Sequence, residues 1–115
     1  MPSLRDEPAV ARRLLNQRRE EVARTLVAVE EAAVTVEADP QRVGGTSRLD
    51  ELQQREIASD AARRRRRELM RIDSALERVE TGEYGHCLAC GTAIPEARLE
   101  LDPAAVLCMD CAARA

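Results

Sequence analysis

Residues 85–111 read GHCLACGTAIPEARLELDPAAVLCMDC and contain two Cys-x2-Cys pairs separated by 17 residues. A Cys-x2-Cys turn directs two sulfurs to one point, and two such turns complete the tetrahedral set of thiolates that structural zinc prefers. Four thiolates leave no coordination position open, so we expect one structural Zn²⁺ whose binding supplies the folding energy of this short segment. The predicted metal ligands are Cys87, Cys90, Cys108 and Cys111.

Two disulfides or a redox-active cysteine pair would fit a cytoplasmic chain less well than a metal site does. The sequence begins MPSLRDEPAVARRLL, without the apolar segment of a secretory signal, so we expect a reducing, cytoplasmic setting in which thiols bind metal. His86 precedes the first cysteine and is a competing ligand, although four thiolates already complete the set.

The longest apolar runs are only a few residues, too short for a membrane span.

The composition of the 115-residue chain favours helices in one plausible domain over a many-stranded β protein. All 18 basic residues are Arg, 21 residues are acidic, and the formal net charge is −3. Tyr84 is the only aromatic residue, so the chain cannot build its core on large aromatic side chains. A single His and the lack of a Ser-His-Asp setting predict that the chain is not an enzyme.

Apolar residues recur every three or four positions in two long segments that have no internal Gly or Pro, which predicts two helices. We expect the first helix at about 8–38 and the second at about 47–80. A turn with two glycines at 39–46 is short enough to make the helices antiparallel neighbours. Residues 1–7 resemble a frayed lead-in.

The predicted fold is therefore mostly α. A long antiparallel coiled-coil hairpin, residues 1–82, precedes a small four-cysteine zinc-finger base with a short C-terminal helix, residues 83–115. Folding the chain about the middle of the turn pairs positions whose numbers sum to about 86, so Val29 meets Ile57. Burial of one seam leaves the outer faces of both helices polar.

The C-terminal third carries several short motifs in a fixed order. They are Gly-Glu-Tyr-Gly-His-Cys-Leu-Ala-Cys-Gly at 82–91, then Ile94-Pro95, Arg98-Leu99-Glu100 and Leu107-Cys108-Met109-Asp110-Cys111. Behind a long helical hairpin, these motifs resemble the DksA/TraR family of bacterial regulators of RNA polymerase. The resemblance implies a zinc-binding transcription regulator that binds RNA polymerase directly, inserts its hairpin into the secondary channel and makes no sequence-specific DNA contact.

The resemblance also implies acidic residues at the tip of the hairpin. Many members of the family carry Asp-x-x-Asp-x-Ala there, whereas this chain has Asp39-Pro40 at the start and Arg42 where the second Asp would stand. Asp39 and Asp50 are the candidate functional carboxylates. Their alternative roles are to end the first helix and to cap the second.

The resemblance further implies ppGpp as an effector, because basic residues help to bind this alarmone in the family. Asp102 occupies a position that is commonly basic, and the chain contains no Lys, which counts against ppGpp binding. We expect a monomer.

Five consecutive arginines in the second helix cover its whole circumference. They form either a solvated collar or a docking surface for an acidic partner; the expected collar partners are Asp60, Glu68 and, across the hairpin, Glu20 and Glu21. Nucleic-acid binding is a third interpretation, against which the net acidity and the missing aromatics count. The alternative functions are therefore a zinc-ribbon nucleic-acid module and a helical protein-interaction factor. The arginines, here called the Arg collar, are Arg63, Arg64, Arg65, Arg66 and Arg67.

Overall fold

A computed structural model describes residues 3–38 and 48–115, with side chains over 3–32 and 49–115. The expected tip, residues 39–46 with Asp39, lies outside the described residues. The described chain is mostly helical, without a β-strand, and none of its helices combines the length and apolar character that a membrane span requires. The helices are α1, Pro8–Ala38; α2, Arg48–Thr81; α3, Glu96–Leu101; and α4, Met109–Arg114.

The ends of the long helices follow from local signals in the sequence. α1 begins at a proline, and the Glu7 carbonyl before it accepts a hydrogen bond from the Val10 amide at 3.0 Å. α2 stops before Gly82, whose φ of 80° suits glycine alone. The Glu83 amide then donates to the Arg78 carbonyl at 3.0 Å, which is the Schellman pattern of helix termination.

Packing divides the chain into two compact units. The base unit contains the chain up to Arg19 together with Met70–Ala115, and the arm unit contains Glu20–Leu69. The base unit therefore includes the first part of α1, the last part of α2 and the whole Cys-rich segment. The division into a hairpin domain, 1–82, and a zinc-finger domain, 83–115, follows sequence character and stays a prediction.

The base unit is built on side chains from both long helices and from the Cys-rich segment. Leu15 of α1 and Ile72 of α2 are fully buried, as are Ile94 and Leu99. Because these four are the largest fully buried side chains among the described residues, the hydrophobic stabilisation of the protein is concentrated in this unit.

Tyr84, the single aromatic residue, is also buried in the base unit. Its hydroxyl donates a hydrogen bond of 2.8 Å to the Pro103 carbonyl, which satisfies the one polar atom of the side chain. Burial, followed by the nearby carboxylates of Glu96 and Asp102, raises the pKa of Tyr84 to about 12. Tyr84 is therefore neutral at physiological pH and serves as a core residue.

The pairing of α1 with α2 confirms an antiparallel hairpin but corrects its register. In the base unit Arg12 pairs with Glu80, and Arg19 pairs with Asp73, both at 2.8 Å. The partner's number falls as the residue number rises, so the two helices run in opposite directions. The paired numbers sum to 92 in each case, whereas the sequence predicted about 86.

In the arm unit the register departs further from the prediction. Arg66 pairs with Glu30 at 2.8 Å, and these numbers sum to 96. Ile57, which was expected to meet Val29 in the seam, is 68% exposed, so that pairing is wrong. The buried residue of α2 in this unit is Ala62, whose small side chain gives a weak hydrophobic signal in the sequence.

Burial is sparse in the arm unit. Among its described side chains only Val22 and Ala62 are buried, against twelve hydrophobic residues in the base unit. Regions with few buried apolar contacts open at a lower free energy than the core does. The described part of the arm unit therefore has few buried apolar contacts to oppose local opening.

The described start of the chain is ordered, in place of the expected frayed lead-in. Leu4 is buried, and the guanidinium Nη2 of Arg5 donates to the Ile94 carbonyl at 2.6 Å. Local sequence character suggested fraying, but contacts with residues about ninety positions later fix this segment.

We expect Leu15→Ala to lower the free energy of unfolding by about 2–5 kcal/mol, because it removes a fully buried side chain. Ile57→Ala is the matched control, since its side chain is exposed, and its effect should stay within about 0.5 kcal/mol. Urea denaturation followed by circular dichroism measures both. A loss for Ile57→Ala as large as that for Leu15→Ala would restore the register predicted from the sequence.

Candidate metal centre

The four cysteines converge on one point of the base unit. All are free thiols, and their Sγ atoms lie within 4.8 Å of one another. The Sγ atoms of Cys90 and Cys108 are 3.8 Å apart. Zinc–sulfur bonds of about 2.3 Å in a tetrahedron require sulfur–sulfur edges of about 3.8 Å, so this donor set fits the metal. The chain therefore has a four-cysteine zinc-finger site able to bind one Zn²⁺.

The first Cys-x2-Cys turn is closed by its own backbone. The Gly91 amide donates to the Cys87 carbonyl at 2.9 Å, and the Cys87 amide donates to the Thr92 carbonyl at 2.8 Å. Gly91 has φ of 75°, a left-handed conformation that lets the chain reverse directly after the second cysteine. Cys90 Sγ lies 3.1 Å from the Thr92 hydroxyl oxygen, within hydrogen-bonding distance.

The second Cys-x2-Cys turn forms the start of α4. Cys108 is the residue before α4, and its carbonyl accepts from the Ala112 amide at 2.9 Å. Cys111 lies in the first turn of the same helix. The Leu88 amide donates to the Val106 carbonyl at 2.8 Å, which joins the backbones of the two turns and fixes the spacing of the sulfurs.

Hydrogen bonds and sulfur neighbours separate the pKa values of the thiols. The backbone amide of Cys108 lowers the pKa of Cys87 to about 6, and the Thr92 hydroxyl lowers the pKa of Cys90. Neighbouring sulfurs, that of Cys108 first, raise the pKa of Cys111 to about 12. Cys87 and Cys111 therefore do not ionise together on their own. Zn²⁺ stabilises the thiolates and displaces the protons, so metal affinity falls as the pH falls.

His86 does not join this cluster. Its side chain is exposed, and the metal-binding group of described residues consists of the four cysteines. The backbone of His86 is held instead, because its carbonyl accepts from Arg78 Nη2 at 2.6 Å and the residue bridges to Ala93. The structure thus supports the four-thiolate set over a set that includes histidine.

The Arg collar lies in the arm unit, away from the cysteines in sequence, and most of it is ion-paired. Arg63 pairs with Asp60, and Arg65 lies 3.5 Å from Glu68, as the solvated-collar interpretation predicts. The partner of Arg66 across the hairpin is Glu30. The expected partners Glu20 and Glu21 are wrong, because the register of the hairpin is shifted.

Two residues of the Arg collar have no ion pair among the described residues. Arg64 and Arg67 are exposed, and neither has an ion-pair partner among the residues that the structure describes.

Asp50, the described tip candidate, is exposed in the first turn of α2, a position that suits a helix-capping or dipole role as well as a functional one.

Sequence analysis missed the groups that hold the Cys-rich segment against the helices. Arg71 of α2 pairs with Asp102 at 2.8 Å, and Arg18 of α1 donates to the Leu101 carbonyl at 3.2 Å. Arg98 donates to the Leu107 carbonyl at 3.0 Å, just before the second cysteine pair. Only the Arg98-Leu99-Glu100 motif gave any signal for these contacts.

Comparison with known proteins places this geometry in context. Residues 82–115 match a family described as the prokaryotic dksA/traR C4-type zinc finger. The chain is 36% identical over 99 residues to the RNA polymerase-binding transcription factor DksA of Escherichia coli and of Salmonella typhimurium, which covers 84% of this chain. The alignment spans 60% of the length of each of these relatives.

Two solved structures share the fold. Transcription factor DksA2 from Pseudomonas aeruginosa superposes with a TM-score of 0.79 at 28% identity, over 93% of this chain and 81% of that one. The DnaK suppressor protein from Agrobacterium tumefaciens superposes with a TM-score of 0.61 at 28% identity, over 95% and 94% of the two chains. The two proteins therefore share the mostly α fold of this chain.

Protein purified without chelator should contain about one zinc per chain, and Cys90→Ser should reduce this to below about half an equivalent. The substitution removes one of four thiolates and should unfold the Cys-rich segment while much of the α1 and α2 helicity is retained. His86→Ala is the control and should keep its zinc, because His86 lies outside the sulfur cluster. Metal analysis and circular dichroism measure the two effects, and a zinc-free parent would contradict the assignment.

Proposed function

The chain belongs to the DksA/TraR family of C4-type zinc-finger proteins, and from this premise we propose that it binds RNA polymerase directly and regulates transcription. The observation that carries the proposal is its similarity, over most of this chain, to factors whose names state that they bind RNA polymerase. We assign no catalytic activity to the chain, and we propose a cytoplasmic monomer that makes no sequence-specific DNA contact.

In this proposal the zinc has a structural role. Cys87, Cys90, Cys108 and Cys111 supply four ligands, which leaves no position for substrate or water. When bound, the metal supplies charge neutralisation and cross-linking to the base unit. The protein's own groups, the closed backbone turns and the Thr92 hydroxyl, orient the sulfurs toward it.

The helical hairpin is the proposed polymerase-binding element, inserted into the secondary channel. Helices of 31 and 34 residues are about 46 and 51 Å long, enough to reach deep into a channel. Support for this role comes from the exposure of most described arm side chains. These include the apolar Leu49, Leu52 and Ile57, which offer surface for a partner to cover. Asp39 and Asp50 are the proposed tip carboxylates.

The exposed arginines Arg64 and Arg67 are the proposed docking residues of the Arg collar. They lie three positions apart and so share one side of α2. Because Arg63, Arg65 and Arg66 are already ion-paired within the chain, these two have the most charge to offer an acidic partner surface.

We propose that ppGpp is not required. Asp102, where the family commonly has a basic residue, already accepts a hydrogen bond from Arg71 at 2.8 Å. The Asp102 carboxylate pairs with the Arg71 guanidinium and repels the phosphate groups of ppGpp. Transcription assays with and without ppGpp test this, and a response that depends on the alarmone would refute it.

The docking role predicts that Arg64→Ala together with Arg67→Ala weakens binding to core RNA polymerase by about tenfold at physiological salt, the equivalent of two lost charge contacts. Arg24→Ala is the control, as an arginine of α1 in the same unit that lies outside the collar. Pulldown and fluorescence titration measure the affinities. If the double variant and the parent bind polymerase with equal affinity, the Arg collar is solvated and has no docking role. If the protein binds nucleic acid without polymerase, and with a steep salt dependence, the nucleic-acid module is favoured.

The tip role predicts that Asp39→Asn with Asp50→Asn leaves polymerase binding near normal and abolishes the effect on transcription. Asn keeps the shape and most hydrogen bonds of Asp, so only charge is removed, and charge acts strongly in a confined, poorly solvated channel. Glu56→Gln, an exposed charge change on α2, is the matched control. An unaltered transcription effect in the double variant would remove these carboxylates from the mechanism.

A further inference from the structure

The chain before α1 forms a compact turn that we call the N-terminal strap, residues Ser3–Glu7. The Glu7 amide donates to the Ser3 carbonyl at 2.9 Å, and the Asp6 amide lies 3.2 Å from the Ser3 hydroxyl oxygen. These bonds give the strap a defined shape before the first helical residue.

The strap docks on the segment that carries the first cysteine pair. The Leu4 side chain is buried, and its amide donates to the Glu96 carboxylate. Arg5 Nη2 donates to the Ile94 carbonyl at 2.6 Å and lies 3.7 Å from the second carboxylate oxygen of Glu96. Both strap residues therefore bind just beyond the first Cys-x2-Cys turn.

The Arg5 side chain also covers the chain just before that turn. A Cβ placed on Gly85 would lie 2.6 Å from Arg5 Cγ, so the two residues meet without room for any side chain at position 85. Gly85 has φ of 86°, which independently favours glycine. Arg5 thus contacts the chain on both sides of the turn.

The two docking points are the closing ends of the loop that presents Cys87 and Cys90. The Ile94 amide donates to the Gly85 carbonyl at 2.8 Å, and inside this bond the Cys87 amide donates to Thr92. A strap that holds Gly85 and Ile94 together therefore restricts the opening of the loop between them.

We propose that the N-terminal strap is a latch for the zinc centre, in which Leu4 and Arg5 hold the Cys87–Cys90 loop closed and slow the escape of the metal. Zinc binding and strap docking then share one free energy of coupling, so each stabilises the other. Loss of zinc should release the strap, and loss of the strap contacts should speed zinc loss. The proposal depends on the metal centre and is independent of polymerase binding.

The rate of zinc transfer to an excess of a coloured chelator tests the latch in the full chain. Leu4→Ala and Arg5→Ala should each accelerate release by about fivefold, the equivalent of one lost hydrogen bond or buried contact. Arg13→Ala, an exposed arginine on α1, should stay within about twofold of the parent. Strap variants that release zinc at the parent's rate would overturn the proposal.

A second control separates a latch from a general loss of stability. Ile72→Val removes buried volume from α2 in the same unit at a residue that does not line the cavity beside Leu4 and Arg5, and its urea midpoint should fall while its zinc-release rate changes less than that of Arg5→Ala. Release rates that simply follow the urea midpoint across all variants would overturn the latch. If Leu4→Ala does not fold, Arg5→Gln, which keeps most of the side-chain length, takes its place.

Hydrogen exchange measures the reciprocal effect. Chelation of zinc from the parent should speed exchange of the Leu4 and Glu7 amides by about tenfold or more, because both are donors in the docked strap. Exchange at these amides that does not change on zinc removal would show that strap and metal are uncoupled, against the proposal.

Discussion

The meeting of four sulfurs at one point is the constraint on which the base unit depends. One buried Tyr is its only aromatic, and four of its twelve buried hydrophobic residues are alanines, so apolar burial is limited. A structural zinc contributes an apparent stabilisation of about 10–16 kcal/mol in small zinc fingers, roughly that of burying several large aliphatic side chains. The convergence of Cys87, Cys90, Cys108 and Cys111 therefore acts as a substitute for a larger core, and the contacts around it hold the sulfurs in place.

The two units differ in how they are stabilised. The base unit combines a metal site, a buried core and hydrogen bonds between distant segments, whereas the described arm side chains include only Val22 and Ala62 as buried residues. Exposed ion pairs such as Arg66–Glu30 contribute only about 0.2–1 kcal/mol each. With so little burial, the described part of the arm unit resists local opening less than the base unit does.

Sequence reasoning succeeded where the signal was local and failed where it was distant. Cys-x2-Cys spacing predicted the metal site, and proline and glycine at the helix ends fixed the helix boundaries, because each signal acts within a few residues. The register was wrong because Ala62, a weak hydrophobic marker, is buried while Ile57 is exposed. Docking of Arg5 on Ile94 could not be predicted, since neither segment carries a local pattern that marks the other as its partner.

The Arg collar concentrates positive charge on a chain whose net charge is negative. The net charge of −3 becomes −5 when four thiolates bind one Zn²⁺, yet a partner feels only charges within the screening length of about 8 Å at physiological salt. The five arginines occupy about 7 Å of the α2 axis, which is within one screening length. Ion pairs within the chain offset the charge of Arg63, Arg65 and Arg66, so under the proposed docking role the attraction to an acidic partner comes from Arg64 and Arg67. Arg66 thus joins the two helices through Glu30, whereas Arg63 and Arg65 pair within α2. Contact with an acidic surface is the role that we propose for Arg64 and Arg67.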